Sequence, residues 1–181
     1  SPACTAISPT RPAVPTENER KYVLDDPAAV LALWPRADWS EIRQGYLPGD
    51  ARIRRRSLGG MSTDSFTYKI TAAGRLVEIE TGLEARDFDD LWPLTTRRIH
   101  KLRTTVVDPA GLQWDIDLLL DDTGQFYWAM AECEMPEAMD APPAILPALL
   151  PHVAYTVPRE RQVEFSNARL SDPAHAASLR W

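Results

Sequence analysis

Charged residues recur two positions apart along this chain, in stretches of strand length, and that spacing restricts the fold more than any other feature. Alternate residues of a β-strand project to opposite faces of a sheet. Glu17, Glu19 and Lys21 therefore share one face in ENERK, and Arg52, Arg54 and Arg56 share one in RIRRR. Glu78 and Glu80 flank Ile79, Lys101 and Arg103 flank Leu102, Asp115 and Asp117 flank Ile116, and Glu132 and Glu134 flank Cys133. An ordinary half-buried sheet also alternates, with its polar face in water. Such a face mixes Ser, Thr, Gln and Lys, whereas this one repeats acid-x-acid and base-x-base in strand after strand. All three lysines, Lys21, Lys69 and Lys101, fall within predicted strands, although lysine usually belongs to exposed loops and helix surfaces. The charged face is expected to turn inward.

If the sheet closes that way, its interior holds the carboxylates of residues 17, 19, 78, 80, 115, 117, 132 and 134 and the cations of 21, 52, 54, 56, 69, 101 and 103. Two like charges about 4 Å apart repel by about 4 kcal/mol at an effective dielectric near 20. Such an interior needs interleaved opposite charges, water, or ligands that complete it. Divalent cations answer the carboxylates and a polyanion answers the bases; a metal-bound triphosphate supplies both.

Turn signals at LPGD 47–50, LGG 58–60, AAG 72–74, DPAG 108–111 and DDTG 121–124 separate runs of strand length and predict short hairpins. Eight strands follow, at about 17–24, 40–47, 51–57, 64–71, 75–82, 98–107, 112–120 and 126–135. Asp26 before Pro27 reads as an N-cap with proline at the first helical position. ARDFDDLW near 85–92 is a second short helix, and a proline-rich connector at 141–151 leads to a helix over about 158–170. The expected class is α+β, an eight-stranded antiparallel closed β-barrel (a tunnel) with a few flanking helices. Residues 1–16, rich in proline and small polar residues, predict a disordered leader, and 17–181 a single domain. A net charge of −6 argues against a broad nucleic-acid footprint. Cys4 and Cys133 form no disulfide framework or zinc motif and read as free thiols of a reducing, cytoplasmic compartment.

In their order and parity, ENERK, QGYL at 44–47, RIRRR, Lys69, EIE, KLR, DID and ECE resemble the elements of the CYTH domains, the triphosphate tunnel metalloenzymes, over about residues 17–170. The resemblance implies an eight-stranded tunnel and hydrolysis of a triphosphate, first of all inorganic triphosphate to pyrophosphate and phosphate. It implies Mg²⁺ or Mn²⁺ on Glu17, Glu19, Glu132 and Glu134, and phosphate binding by Lys21, Arg52, Arg54, Arg56, Lys69, Lys101 and Arg103. It leaves Glu78 or Asp117 to steer the attacking water. The expected partner is a triphosphate-containing small molecule, with no DNA and no membrane, and a homodimer is compatible. Class IV adenylyl cyclase, thiamine triphosphatase and a non-catalytic binder of polyphosphate or a nucleotide messenger are the alternatives. Two positions depart from the family pattern. Leu76 stands where many members carry Arg, and FSNAR keeps Asn167 but displaces its basic neighbour to Arg169.

His100, His152 and His175 share no ligand spacing and read as structural or surface residues. Cys133, of opposite parity to Glu132 and Glu134, is expected to be a buried small hydrophobe. Trp34, Trp92 and Trp128 are expected to pack helices against the outside of the barrel.

Overall fold

The computed structural model describes residues 18–181; the expectations for residues 1–16, Cys4 and Glu17 lie outside them. Nine strands form one antiparallel sheet: β1 (Glu19–Leu24), β2 (Ser40–Tyr46), β3 (Arg52–Leu58), β4 (Met61–Ala72), β5 (Arg75–Leu83), β6 (Arg97–Val107), β7 (Gln113–Leu120), β8 (Phe126–Glu134) and β9 (Val153–Val157). Their order in space is β5-β4-β3-β2-β6-β7-β8-β1-β9. Among the described residues, four short helices, α1 (Pro27–Leu31), α2 (Ala85–Leu91), α3 (Asn167–Leu170) and α4 (Pro173–Ser178), accompany the sheet in an α+β fold.

All five turn signals are hairpin connections. Gly59 and Gly60 (φ 58° and 80°) join β3 to β4, and Ala73 and Gly74 (φ 51° and 73°) join β4 to β5. Positive φ at both central positions matches the right-handed twist of the flanking strands. Between β6 and β7, Asp108 Oδ1 accepts from the Ala110 and Leu112 N–H groups, both at 2.9 Å. Asp121 repeats the device with Thr123 and Gln125 between β7 and β8. The Asp26 cap forms as expected, its Oδ1 accepting from Ala29 N–H at 3.1 Å.

The sheet differs from the expected closed barrel. Among the described residues no ladder joins β5 to β9, so the sheet curls without closing. The ninth strand lies in the stretch after the proline-rich connector, where VAYTV combines three β-branched residues with a tyrosine. Bracketed by Pro151 and Pro158, it pairs with β1 at the sheet's edge, where neighbouring prolines are tolerated. The segment expected as one helix over 158–170 is a 3₁₀ stretch, Arg159–Phe165, followed by the single turn of α3.

The two faces carry different cores. On the convex face, Tyr22, Trp114, Ile116, Leu118, Ala131 and Cys133 bury against Val30 of α1 and Leu146 and Leu149 of the connector. Cys133 is fully buried there, and desolvation pushes its thiol up to about 11. On the concave face, Val23, Ile99, Leu119, Trp128, Met130 and Val157 pack against Phe165, Leu170, Ala176 and Leu179 of the C-terminal segment. One end of the expected charged interior is therefore an apolar plug. Trp34 and Trp92 pack outside as expected, Trp34 edge-on to Trp39 and Trp92 stacked on Phe88 of α2. Trp128 has the parity of Glu132 and sits instead on the concave face, against Phe165 and Trp181.

Gly45 in β2 lies where a methyl group would run into the Thr95 side chain. That side chain cannot step aside easily: Thr95 Oγ1 donates to Trp92 O and accepts from Arg98 Nε, both at 2.7 Å. Gly45→Ala is expected to destabilise the fold by about 1–3 kcal/mol in urea unfolding, as overpacking does; an unchanged midpoint would show that the 92–98 segment yields.

Candidate active site

Strand pairing brings the charges together in register. On β1 and β8, Glu19 lies opposite Glu134 and Lys21 opposite Glu132, and Glu132 lies opposite Asp115 of β7. On the other side, Arg52, Arg54 and Arg56 of β3 lie opposite Tyr46, Gln44 and Ile42 of β2, and Lys69 of β4 lies opposite Glu78 of β5. The curl of the sheet faces these two walls across a cleft of about 690 Å³, lined by Glu19, Lys21, Glu132 and Glu134 on one side and Arg52, Arg54, Lys69 and Glu78 on the other.

The first wall is acidic, and its cations are spoken for. Lys21 Nζ lies 3.0 Å from Glu19 and 3.1 Å from Glu132. Burial works against its charge, but the two glutamates outweigh it and its pKa is raised. Arg103 forks onto Asp117 (Nε–Oδ1 2.6 Å, Nη2–Oδ2 2.7 Å) and reaches Asp115 at 2.8 Å through Nη1. The Arg103 pKa is raised, because Asp117 and Asp115 overcome its desolvation. Lys101 Nζ donates to Asp117 Oδ2 at 2.7 Å and to Asn167 Oδ1 at 3.1 Å. Lys101 and Asp117 are 0% and 1% exposed. Desolvation and then Arg103 push Lys101 down to about 8. Desolvation also opposes the Asp117 charge, yet Arg103 and Lys101 hold its carboxyl well below the usual range.

The second wall carries uncompensated positive charge. Arg54 Nε donates to Gln44 Oε1 at 2.8 Å, and Gln44 Nε2 donates to the Tyr46 hydroxyl at 2.9 Å. Arg56 Nε donates to Ser40 Oγ at 3.1 Å. Among the described residues, no carboxylate pairs with Arg52, Arg54 or Arg56, in contrast to Arg55 on the outer face, which binds Asp64 and Asp89. Desolvation, then Arg103 and Arg52, hold the Arg54 pKa below its ordinary value. An anion between these walls would relieve that repulsion.

The expected site residues thus divide. Glu19, Lys21, Arg52, Arg54, Lys69, Glu78, Arg103, Glu132 and Glu134 line one cleft. Lys101 and Asp117, expected to touch substrate and water, lie behind it and orient Arg103. Arg56, on the same face, is exposed and off the cleft. The polar supports Ser40, Gln44 and Tyr46 are additional to the charged set that the sequence singles out; they share the parity of the β3 arginines through the ladder, which is the signal that could find them. Asn18 shows no such pattern, yet it ties the rim together. Its Nδ2 donates to Pro136 O (2.7 Å) and Met139 O (2.8 Å), and its Oδ1 accepts from Arg159 at 2.7 Å.

Glu19, Glu132 and Glu134 offer the hard oxygen donors that Mg²⁺ and Mn²⁺ prefer, and the like charges of Glu19 and Glu134 oppose each other directly, an arrangement that a cation relieves. Their chemistry fits a divalent ion. In the present arrangement Lys21 holds two of them, and among the described residues no three potential ligands are gathered together.

The sequence matches no protein-family model, and no curated protein matches it. Its fold is similar to that of solved structures. The inorganic triphosphatase NE1496 aligns at 24% identity over 87% of this chain and 95% of that chain, with a TM-score of 0.52. A second structure, of the hypothetical protein NE1496, aligns at 23% identity over 86% and 97%, with a TM-score of 0.51. This chain therefore shares the fold of an inorganic triphosphatase, in keeping with the CYTH resemblance of its motifs. No helix among the described residues is long and apolar enough to cross a membrane.

Removing one member of a buried ion pair strands its partner, at a cost of about 3–5 kcal/mol. Asp117→Asn should lose stability on that scale in urea unfolding. Because the folded pKa of Asp117 is depressed, its contribution is present above the unfolded carboxyl pKa and is lost as pH falls through the folded value. The wild type should therefore lose stability more steeply than the variant on acidification below about pH 4; parallel acid profiles would contradict the pairing.

Proposed function

We propose that this chain is a divalent-metal-dependent hydrolase of triphosphates, cleaving inorganic triphosphate to pyrophosphate and phosphate. The observation that carries the reading is the opposition of two walls: Arg52 and Arg54 of β3, without carboxylate partners among the described residues, facing glutamates on β1 and β8 across one cleft. Phosphoryl transfer is chiefly a matter of positioning and charge stabilisation, and the cleft offers both.

Arg52 and Arg54 suit phosphate oxygens because a guanidinium grips two at once, whereas Lys69 acts as a point charge. Arg103, oriented from behind by Asp117, presents its remaining capacity to the same space. Glu19, Glu132 and Glu134, with Glu17, would hold Mg²⁺ or Mn²⁺, which when bound neutralises phosphate oxygens and acidifies water. Lys21 competes with the metal for Glu19 and Glu132, and substrate phosphates give its ammonium another anion. Water attacks the terminal phosphorus, its new P–O bond forming as the bridging P–O bond breaks and pyrophosphate departs. Glu78, exposed and 3.3 Å from Lys69, is the carboxylate suited to orient that water. Asp117 is not, since both its oxygens are committed to Lys101 and Arg103.

Purified protein should release phosphate from tripolyphosphate with Mg²⁺ or Mn²⁺ and stop when EDTA is added. Arg54→Ala and Glu132→Gln should each lower kcat/KM at least tenfold, about 1.4 kcal/mol or more of transition-state stabilisation. Absence of metal-dependent phosphate release would defeat the proposal, and formation of cyclic AMP from ATP would assign the site to a cyclase.

A further inference from the structure

Asn167 belongs both to the buried charge network and to the cleft, and its two ends cannot exchange places. Its Oδ1 accepts from Lys101 Nζ at 3.1 Å. An ammonium group only donates, so the amide oxygen must face Lys101 and the NH₂ group must face away from it. Asn167 also lines the cleft that contains Lys21, Arg54 and Arg103. Its Nδ2 has no hydrogen-bond acceptor among the described residues. The backbone beneath is fixed, because Phe165 and Leu170 on either side are both 0% exposed within the apolar plug.

We propose that Asn167 is a substrate-binding residue whose side-chain NH₂, held toward the cleft by Lys101, donates to an oxygen of the bound triphosphate. The inference rests on the triphosphate reading of the site and adds a neutral donor to the charged groups already described. The C-terminal segment then does more than seal one end of the concave face: it supplies part of the anion's surroundings. A neutral amide also suits its place beside Lys101. A cation there would repel the lysine, and an anion would repel the phosphates.

Asn167→Asp separates this role from a purely structural one. Aspartate keeps an acceptor for Lys101 and is tolerated at the start of a helix, but it removes both N–H donors and adds a negative charge. Metal-free calorimetric titration with tripolyphosphate should give at least tenfold weaker binding for Asn167→Asp than for wild type, with the melting temperature retained. Asn167→Ala, which loses the donors without adding charge, should bind severalfold more weakly than wild type and more tightly than Asn167→Asp. Wild-type affinity in both variants would overturn the role of Asn167 while leaving the triphosphate reading intact. If wild-type protein itself fails to bind tripolyphosphate, both fall.

Discussion

Asp117 has almost no contact with water, yet it carries a full charge because two cations from β6 close over it. Lys101 takes one oxygen, and Arg103 takes both in a fork. Such a group is tolerable only when every lone pair and proton is answered, so the arrangement fixes how β6 and β7 sit and how Arg103 enters the cleft. Asn167 completes it by giving Lys101 a second acceptor. The cleft is built outward from this buried unit: Arg103 and Asp115 form its inner surface, Lys21 with Glu19 and Glu132 the next layer, and the β3 arginines the opposite wall.

The contrast between the walls is what suits the cleft to a ligand of mixed character. On the acidic side each cation is paired, and the surplus is carboxylate. On the β3 side Arg54 leans on a neutral partner, Gln44, which orients the guanidinium without cancelling its charge, as Ser40 does for Arg56 outside the cleft. Replacing Gln44 with a carboxylate would satisfy Arg54 internally and remove its reason to hold an anion. The neutral supports therefore matter as much as the charges they hold.

Parity along the strands made most of the cleft legible. The doublets around Leu102, Ile116 and Cys133 face the same way because the ladder pairs Arg103 with Asp117 and Asp115 with Glu132. Parity cannot say how deep a side chain lies along its strand. Lys101 and Arg103 are two residues apart on one face, yet the first is sealed and the second reaches the cleft. Depth depends on what packs over that face, and the C-terminal plug was not readable as such: its apolar residues are split among short turns with no helical period. Closure was equally out of reach, since a curled sheet and a barrel share the same alternation. β9 escaped because a five-residue edge strand between Pro151 and Pro158 is too short to stand out between the connector and the segment that follows.

The order of strands in space also separates the two walls in folding. β2 to β5 follow one another as hairpins, so the arginine wall needs only short loop closures. The acidic wall must wait, because β1 is placed only by β8 and β9, and Lys21 meets a glutamate 111 residues downstream. Contacts of such long sequence separation form slowly. β1 precedes β2–β5 in the chain yet is thus seated after them, and a partly folded chain presents its basic side to polyanions before its carboxylates are in place to temper it.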